Sequence, residues 1–177
     1  MAKTQIIPPF AEDDDLVNVI VETPKGSRNK YAFDSDAGIL TLKKVLPNGM
    51  VFPFDFGCIP GTRGDDGDPL DILVLMQECV TSPCLVQAHL IGVIEAEQTE
   101  DGESERNDRL VAIAEFGNQS SEIESLKKLP KRTLKEIEHF FVSYNELAGK
   151  EFKVLDYRGP DAAVKLVKQG IKRFGKG

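Results

Sequence analysis

The residues with the most evident chemical potential form an acidic segment at positions 65–71, with the sequence Asp-Asp-Gly-Asp-Pro-Leu-Asp. The segment holds four carboxylates in seven residues and runs directly into the apolar stretch 72–76, which is typical of a buried strand. Carboxylates crowded at the edge of a core repel one another and are costly to desolvate. Because hard divalent cations prefer oxygen ligands and would relieve that repulsion, this segment is the best candidate for a functional site.

The spacing within the segment also suits metal binding. Alternation places the side chains of Asp66 and Asp68 on the same side, and Asp71 follows at the start of the predicted strand. Together they could form an open carboxylate nest for one or two Mg²⁺ ions. The pattern is not that of an EF-hand, because its glycine falls between ligands and no glutamate stands at the required position. Taken alone, the segment also fits a solvated acidic turn before a strand.

Composition limits the possible partners and compartments. The net charge of −7 means that an anionic ligand must be met by local lysines or by metal, and no nucleic-acid partner is expected. Three cysteines without a CxxC pair favour reduced thiols. The chain has no apolar run of about 18–20 residues and no signal-peptide core near its start, so we expect a cytoplasmic protein without membrane contact.

Patterning predicts the elements that must position the acidic segment. An irregular arm is expected over 1–15, and the rest of the 177 residues is expected to form a single domain. Alternating or β-rich runs predict strands at 16–23, 30–33, 38–45, 70–76, 85–96, 109–114 and 152–157. Residues 50–59 are expected to be partly extended, and 97–108 to be a charged loop. Helical spacing predicts helices over 130–148 and from 159 onwards. This order favours an α+β fold, mainly β, with a β-barrel and helices packed outside it.

The acidic segment also carries a resemblance to a known family. Residues Asp66-Gly67-Asp68-Pro69-Leu70-Asp71 resemble the Asp-Gly-Asp-Pro-x-Asp signature of the family I soluble inorganic pyrophosphatases. Further matches follow in the family's order at 19–24, 30–31, 52–53, 56–57, 91–94 and 139–141. The likeness covers roughly residues 16–157, so the chain is identified as a divergent, bacterial-type member of this family.

The resemblance implies a fold, an activity and an assembly. The fold would be a five-stranded, OB-like closed β-barrel with flanking C-terminal helices. The activity would be Mg²⁺-dependent hydrolysis of inorganic diphosphate to two phosphates by metal-activated water, with several Mg²⁺ ions in each active site. The assembly would be a homohexamer, since bacterial members of this length are commonly hexameric.

The resemblance also assigns roles residue by residue. Asp66 and Asp71 would bind metal, and Glu22 would lie in the outer part of the metal cluster. Asp68 would be the general base. Phosphate groups would be held by Lys30 and by Lys44, which stands where the family has an arginine. Tyr144 would donate its hydroxyl to the leaving phosphate.

Several positions depart from the family pattern. Ala32 replaces a glutamate, Phe52 and Phe56 replace tyrosines, and Asn145 replaces a lysine. These losses keep open two alternative functions. One is hydrolysis of another phosphoanhydride, such as a polyphosphate or nucleotide, and the other is a catalytically inactive homologue that serves as a binding or scaffold protein.

The largest departure lies in the second acidic cluster, where the predicted loop is about four residues longer than in the family. Alignment puts Gln98 and Asn107 at positions that the family fills with acids. Asp108 could replace the last acid as a metal ligand if the start of the next strand is bulged, because its one-residue offset would otherwise turn the side chain to the other face. Asp101 and Glu103 are weaker candidates. Arg109 would replace the family's phosphate-binding lysine as a forked donor.

Overall fold

A computed structural model of the chain describes residues 7–12, 15–34, 37–116 and 123–175. Within these ranges the chain is mainly β with two α-helices. The strands are β1 (Leu16–Thr23), β2 (Asn29–Asp34), β3 (Ile39–Val45), β4 (Asp55–Cys58), β5 (Asp71–Leu75), β6 (Cys84–Glu100), β7 (Glu103–Arg106), β8 (Arg109–Ala114) and β9 (Glu151–Arg158). The helices are α1 (Lys131–Glu146) and α2 (Pro160–Phe174).

Five strands are linked by pairings that return to their starting point. β1 pairs antiparallel with both β4 and β6, and β4 pairs antiparallel with β5. β5 pairs in parallel with β8, and β8 pairs antiparallel with β6. The long strand β6 also carries β7 and β9, while β2 and β3 form a separate two-stranded sheet.

Side chains on the two faces of the central strands enter two different hydrophobic clusters. In β5, Ile72 and Val74 pack with residues of β1 and with Val167 of α2. Leu73 packs in the second cluster with aromatic residues of α1, including Phe141. After their first residues, β5 and β8 are buried on both faces, so their sequences are continuously apolar there rather than alternating.

Most of the predicted elements are confirmed, with boundaries that move by a few residues. The predicted loop over 97–108 is wrong, because β6 continues to Glu100 and pairs with β7 in a hairpin. The turn is formed by Asp101 and Gly102, whose φ angles of 51° and 83° match the type I′ geometry favoured by the Asp-Gly dipeptide. The four residues of β7 are exposed, and all are charged or polar. The sequence therefore lacks the alternation of apolar and polar residues that predicts a strand.

Residues 7–12 of the predicted irregular arm lie against β1. The Asn18 side chain donates hydrogen bonds to the carbonyl oxygens of Pro8 and Phe10, at 2.9 and 3.2 Å. Positions 1–6 and 13–14 of the arm, and 35–36 in the turn between β2 and β3, lie outside the described residues. Neither α-helix in the described part of the chain has the length and apolarity needed to cross a membrane.

Candidate active site

The acidic segment forms a compact turn that ends where β5 begins. The Gly64 amide donates to the Asp68 carbonyl at 2.7 Å, and the Asp68 amide donates to Asp66 Oδ1 at 3.1 Å. Gly67 lies at φ 89°, a conformation that glycine adopts without steric cost. The turn therefore fixes the backbone of Asp68 and folds the Asp66 carboxylate onto the segment. The Asp68 carboxylate itself is exposed and accepts no hydrogen bond within the described residues.

Glu22 and Asp71 approach this turn from strands on either side of β4. Cys58 on β4 is the register partner of Asp71, and its Sγ lies 3.6 Å from Glu22 Oε1. The approach depends on Gly57, because a Cβ there would lie 1.9 Å from the carbonyl oxygen of Ile20 on β1. The strand order thus brings a buried glutamate, a buried thiol and the first residue of β5 into one row.

The hydrogen bonds to Glu22 fix its orientation. Its Oε1 accepts from the Phe33 amide at 2.8 Å as well as from the Cys58 thiol. Burial raises the pKa of Cys58, and the nearby negative charges of Glu22 and Asp71 raise it further, so the thiol stays protonated and acts as a donor. One carboxylate oxygen of Glu22 is therefore held by two donors.

The carboxylates of the site disfavour each other's ionised forms. Burial raises the pKa of Glu22, and the charge of Asp71 adds to this, although the Phe33 amide partly offsets it. Burial also raises the pKa of Asp66, with further contributions from Asp71 and Asp68. This is the electrostatic situation that a bound cation would relieve.

Arg109, at the start of β8, lies beside the start of β5. Parallel pairing places both strand starts at the same edge, and Arg109 Nη1 lies 3.0 Å from Asp71 Oδ2. The guanidinium also packs over the rings of Phe141 and Phe152, with its carbon 5.0 and 5.7 Å from their centroids. Arg109 is buried, and its Nε has no hydrogen-bond partner among the described residues.

The Asp108 carboxylate forms hydrogen bonds with Ala96 and Arg106 rather than with Arg109. Its Oδ1 accepts a hydrogen bond from the Ala96 amide at 3.0 Å, and its Oδ2 accepts one from Arg106 Nη2 at 3.0 Å. It nevertheless shares with Asp66, Asp71 and Arg109 the lining of a small cavity of about 30 Å³. That volume accommodates one or two water-sized species.

Three of the predicted substrate-binding residues, Lys30, Lys44 and Tyr144, lie in one cationic and aromatic cluster, whereas Arg109 lies at Asp71. Lys30 on β2 is the register partner of Lys44 on β3. Lys30 Nζ lies 5.4 Å from the ring centroid of Phe56 and 5.7 Å from that of Tyr144, and Lys44 Nζ lies 4.5 Å from the Tyr144 ring centroid. Lys30 also lowers the pKa of Glu22 by its charge, which connects this cluster to the carboxylates.

Phe52, Phe56 and Asn145, three of the four substituted positions, have structural roles in this chain. Phe52 and Phe56 are only 1% and 2% exposed and pack against each other with ring centroids 5.4 Å apart. The buried Asn145 side chain donates to the Phe141 carbonyl at 2.8 Å. These positions therefore contribute to the core beneath the site.

Sequence reasoning did not identify two neighbours of the predicted site. One is Cys58, which the pairing of β4 with β1 places beside Glu22. The other is a link from Gln98 to Arg109 through Asn107, since the Asn107 side chain donates to Gln98 Oε1 at 2.7 Å and accepts a hydrogen bond from Arg109 Nη1. The Asp101-Gly102 dipeptide was the one sequence signal for the hairpin that carries Gln98.

The donor chemistry fits a hard divalent cation, although the ligands do not form a closed cage. Glu22, Asp66 and Asp71 offer only oxygen atoms, and their mutual repulsion favours a cation. Across residues 7–12, 15–34, 37–116 and 123–175, no group of three or more His, Cys, Asp or Glu side chains is already positioned around one metal position.

Comparison with known proteins gives consistent matches over nearly the whole chain. The model of a family described as inorganic pyrophosphatase matches residues 19–175. An inorganic pyrophosphatase of Geobacillus stearothermophilus is 35% identical over 167 residues, which is 94% of this chain and 99% of that protein. One of Methanosarcina acetivorans is 35% identical over 157 residues, covering 89% of this chain and 91% of that protein. The crystal structure of an inorganic pyrophosphatase from Thermus thermophilus superimposes with a TM-score of 0.88 at 32% identity, covering 99% of this chain and 100% of that one.

Proposed function

This chain belongs to the inorganic pyrophosphatase family, and from that premise we propose how its residues carry out the reaction. The chain hydrolyses inorganic diphosphate to two phosphate ions. The observation that carries this conclusion is an intact acidic segment, with Glu22 beside it, in a chain matched to pyrophosphatases over nearly its full length. It favours diphosphate hydrolysis over both another phosphoanhydride substrate and an inactive scaffold.

Enzymes of this family need a divalent metal, and here we propose several Mg²⁺ ions in each site. Asp66 and Asp71 would be the central ligands, with Glu22 in the outer part of the cluster. When bound, the ions would neutralise phosphate charge and make the attacking water more acidic. Asp108 is proposed as a further ligand because it lines the same cavity, and it would have to exchange its hydrogen bonds with Ala96 and Arg106 to serve in that role.

The substrate would be held by cationic and hydroxyl groups at the edge of the carboxylates. Lys30 and Lys44 would contact phosphate oxygens from the paired strands β2 and β3. Arg109, at the start of β8, would replace the family's phosphate-binding lysine and contact phosphate as a forked donor. Tyr144 would donate its hydroxyl to the leaving phosphate from a position beside both lysines. Phosphoryl transfer depends mainly on such positioning and charge neutralisation.

Asp68 would accept the proton of the attacking water. Its backbone is fixed by Gly64 and Asp66, while its exposed carboxylate is not occupied by a donor in the described part of the chain. A carboxylate near bound cations remains ionised and can act as a base. The water oxygen then bonds to one phosphorus, and the bridging oxygen leaves with the other phosphate.

The test is phosphate release from diphosphate by wild-type protein and by Asp68→Asn, with and without Mg²⁺. We expect release by wild type only with Mg²⁺, and a loss of about 10²–10⁴-fold in kcat for Asp68→Asn. The matched control is Asp65→Asn, because Asp65 is in the same turn but pairs with Arg173 at 2.7 Å. Release without divalent cations would refute the metal requirement. Equal losses in the two variants would refute the role of Asp68.

The remaining expectations from the sequence are also proposed. The circular pairing of β1, β4, β5, β8 and β6 supports an OB-like closed barrel. The same central strands contribute residues to both hydrophobic clusters, which supports a single domain over 1–177. Exposed apolar residues on β3, namely Ile39, Leu42 and Val45, support burial in a homo-oligomer, proposed as a hexamer. Reduced cysteines support a cytoplasmic location.

A further inference from the structure

Arg109 is held in place from several sides. Its Nη1 donates to the Asp108 carbonyl at 3.1 Å and to the Asn107 side chain, and it lies 3.0 Å from Asp71 Oδ2. The guanidinium packs over Phe141 and Phe152, and its side chain is only 8% exposed. Since moving the guanidinium away would break all these contacts, Arg109 is a fixed positive charge beside Asp71.

The group that orients Arg109 is itself fixed. Asn107 Nδ2 donates to Gln98 Oε1 at 2.7 Å, so the amide must present its oxygen to Arg109. Gln98 is buried on β6, where its backbone pairs with Glu105 of β7 and Phe152 of β9. The three residues Gln98, Asn107 and Arg109 form a connected polar relay that ends at Asp71.

The neutrality of Asn107 determines where the charge of Arg109 acts. An amide oxygen accepts the hydrogen bond without cancelling the guanidinium charge. Asp71 is the acid that forms an ion pair with Arg109 among the described residues. The relay therefore directs an undiminished positive charge onto a carboxylate that the proposed function assigns to metal binding.

We infer that Arg109 is a resident counter-cation of Asp71, positioned by Asn107 and Gln98, and that it competes with divalent metal for this carboxylate. The inference rests on the proposed function, which makes Asp71 a metal ligand. Two positive charges near one carboxylate repel each other, and the guanidinium occupies one of the two Asp71 oxygens. The relay consequently weakens metal binding at Asp71 and so sets the metal concentration at which the site fills.

The test is Mg²⁺ binding measured by calorimetry in the absence of substrate. Arg109→Gln removes the competing charge, and we expect Mg²⁺ to bind at least about tenfold more tightly than to wild type. Asn107→Ala keeps the charge but removes its orienting partner, and we expect a smaller change in the same direction, about threefold. The same Arg109→Gln variant should bind inorganic phosphate more weakly, since it loses a charged donor.

The matched control is Arg158→Gln, which removes the same charge from an Arg–Asp pair on β9, where Arg158 Nε lies 3.0 Å from Asp156. Its Mg²⁺ affinity should equal that of wild type. Circular dichroism and thermal melting establish that each variant is folded, and if Arg109→Gln is not, Asn107→Ala alone decides. Unchanged or weaker Mg²⁺ binding by the folded relay variants would overturn the inference, as would an equal gain in Arg158→Gln. Phosphate release by wild type with and without Mg²⁺ tests the proposed function separately.

Discussion

The hydrogen bond from the Cys58 thiol to Glu22 can be tested by replacing the sulfur. Cys58→Ala removes the donor, whereas Cys58→Ser keeps a hydroxyl that can donate to the same oxygen. The bond matters because Glu22 is a buried carboxylate, and Oε1 has the Phe33 amide as its other donor. The pair of variants therefore separates the loss of the donor from the loss of the sulfur atom.

The expected magnitude follows from two contributions. A thiol is a weak donor, and its hydrogen bond contributes about 0.5–1.5 kcal/mol to the free energy of unfolding. Loss of a buried atom of this size adds about 1 kcal/mol. Cys58→Ala should therefore lower the free energy of unfolding by about 1.5–2.5 kcal/mol and the melting temperature by roughly 3–10 °C. Cys58→Ser should lose about 1 kcal/mol.

The assay is urea denaturation of metal-free protein at one fixed pH, together with calorimetric Mg²⁺ titration. Only Cys58→Ala should also weaken Mg²⁺ binding, because Glu22 then loses one of the two donors that orient it. Cys79→Ser is the control, since Cys79 is exposed. If Cys58→Ser and Cys58→Ala unfolded with the same free energy, the thiol would act by packing alone and the reasoning would be refuted.

Two further predictions concern pH and substrate binding. In metal-free protein, burial raises the pKa of Glu22 above its ordinary value of 4.5 and that of Asp66 above 3.8. The folded state then binds these protons more tightly than the unfolded chain does, so protonation of the two carboxyl groups stabilises the fold. This stabilisation is complete below the ordinary pKa values and is lost as the pH rises through the raised pKa values of the folded state. Urea midpoints of wild type and Glu22→Gln from pH 4 to 8 test this, and an unchanged pH slope in the variant would contradict it. Lys44→Ala should raise KM for diphosphate about 10–100-fold, because it would remove the charged hydrogen bond proposed between Lys44 and phosphate. Lys43→Ala, at the exposed neighbouring position, should leave KM unchanged, and equal effects of the two variants would count against the assignment.

The strands and helices were largely predictable because their signals are local. The apolar run after Asp71 and the helical spacing in α1 each depend on neighbouring residues only. The acidic turn was predictable for the same reason, since glycine and proline fix its geometry. The collinear motifs then related Glu22 and Lys30 to that turn by resemblance.

The contacts between strands were not predictable from local pattern. Cys58 reaches Glu22 because Gly57 allows β4 to approach β1 closely, and no periodicity in either strand expresses that approach. The relay to Arg109 was missed because β7 is exposed and charged, so the segment that holds Gln98 against Asn107 had the composition of a loop. Long-range register, rather than composition, decides both features.

The hairpin of β6 and β7 also has a consequence for insertions into this chain. Its turn at Asp101 and Gly102 is exposed, whereas Arg109 is fixed at the start of β8 by parallel pairing with β5. Residues added at the tip would lengthen the hairpin outwards and leave the start of β8 in register. The same turn therefore offers a position where a peptide tag or a fluorescent reporter can be inserted while the residues of the candidate site keep their spacing.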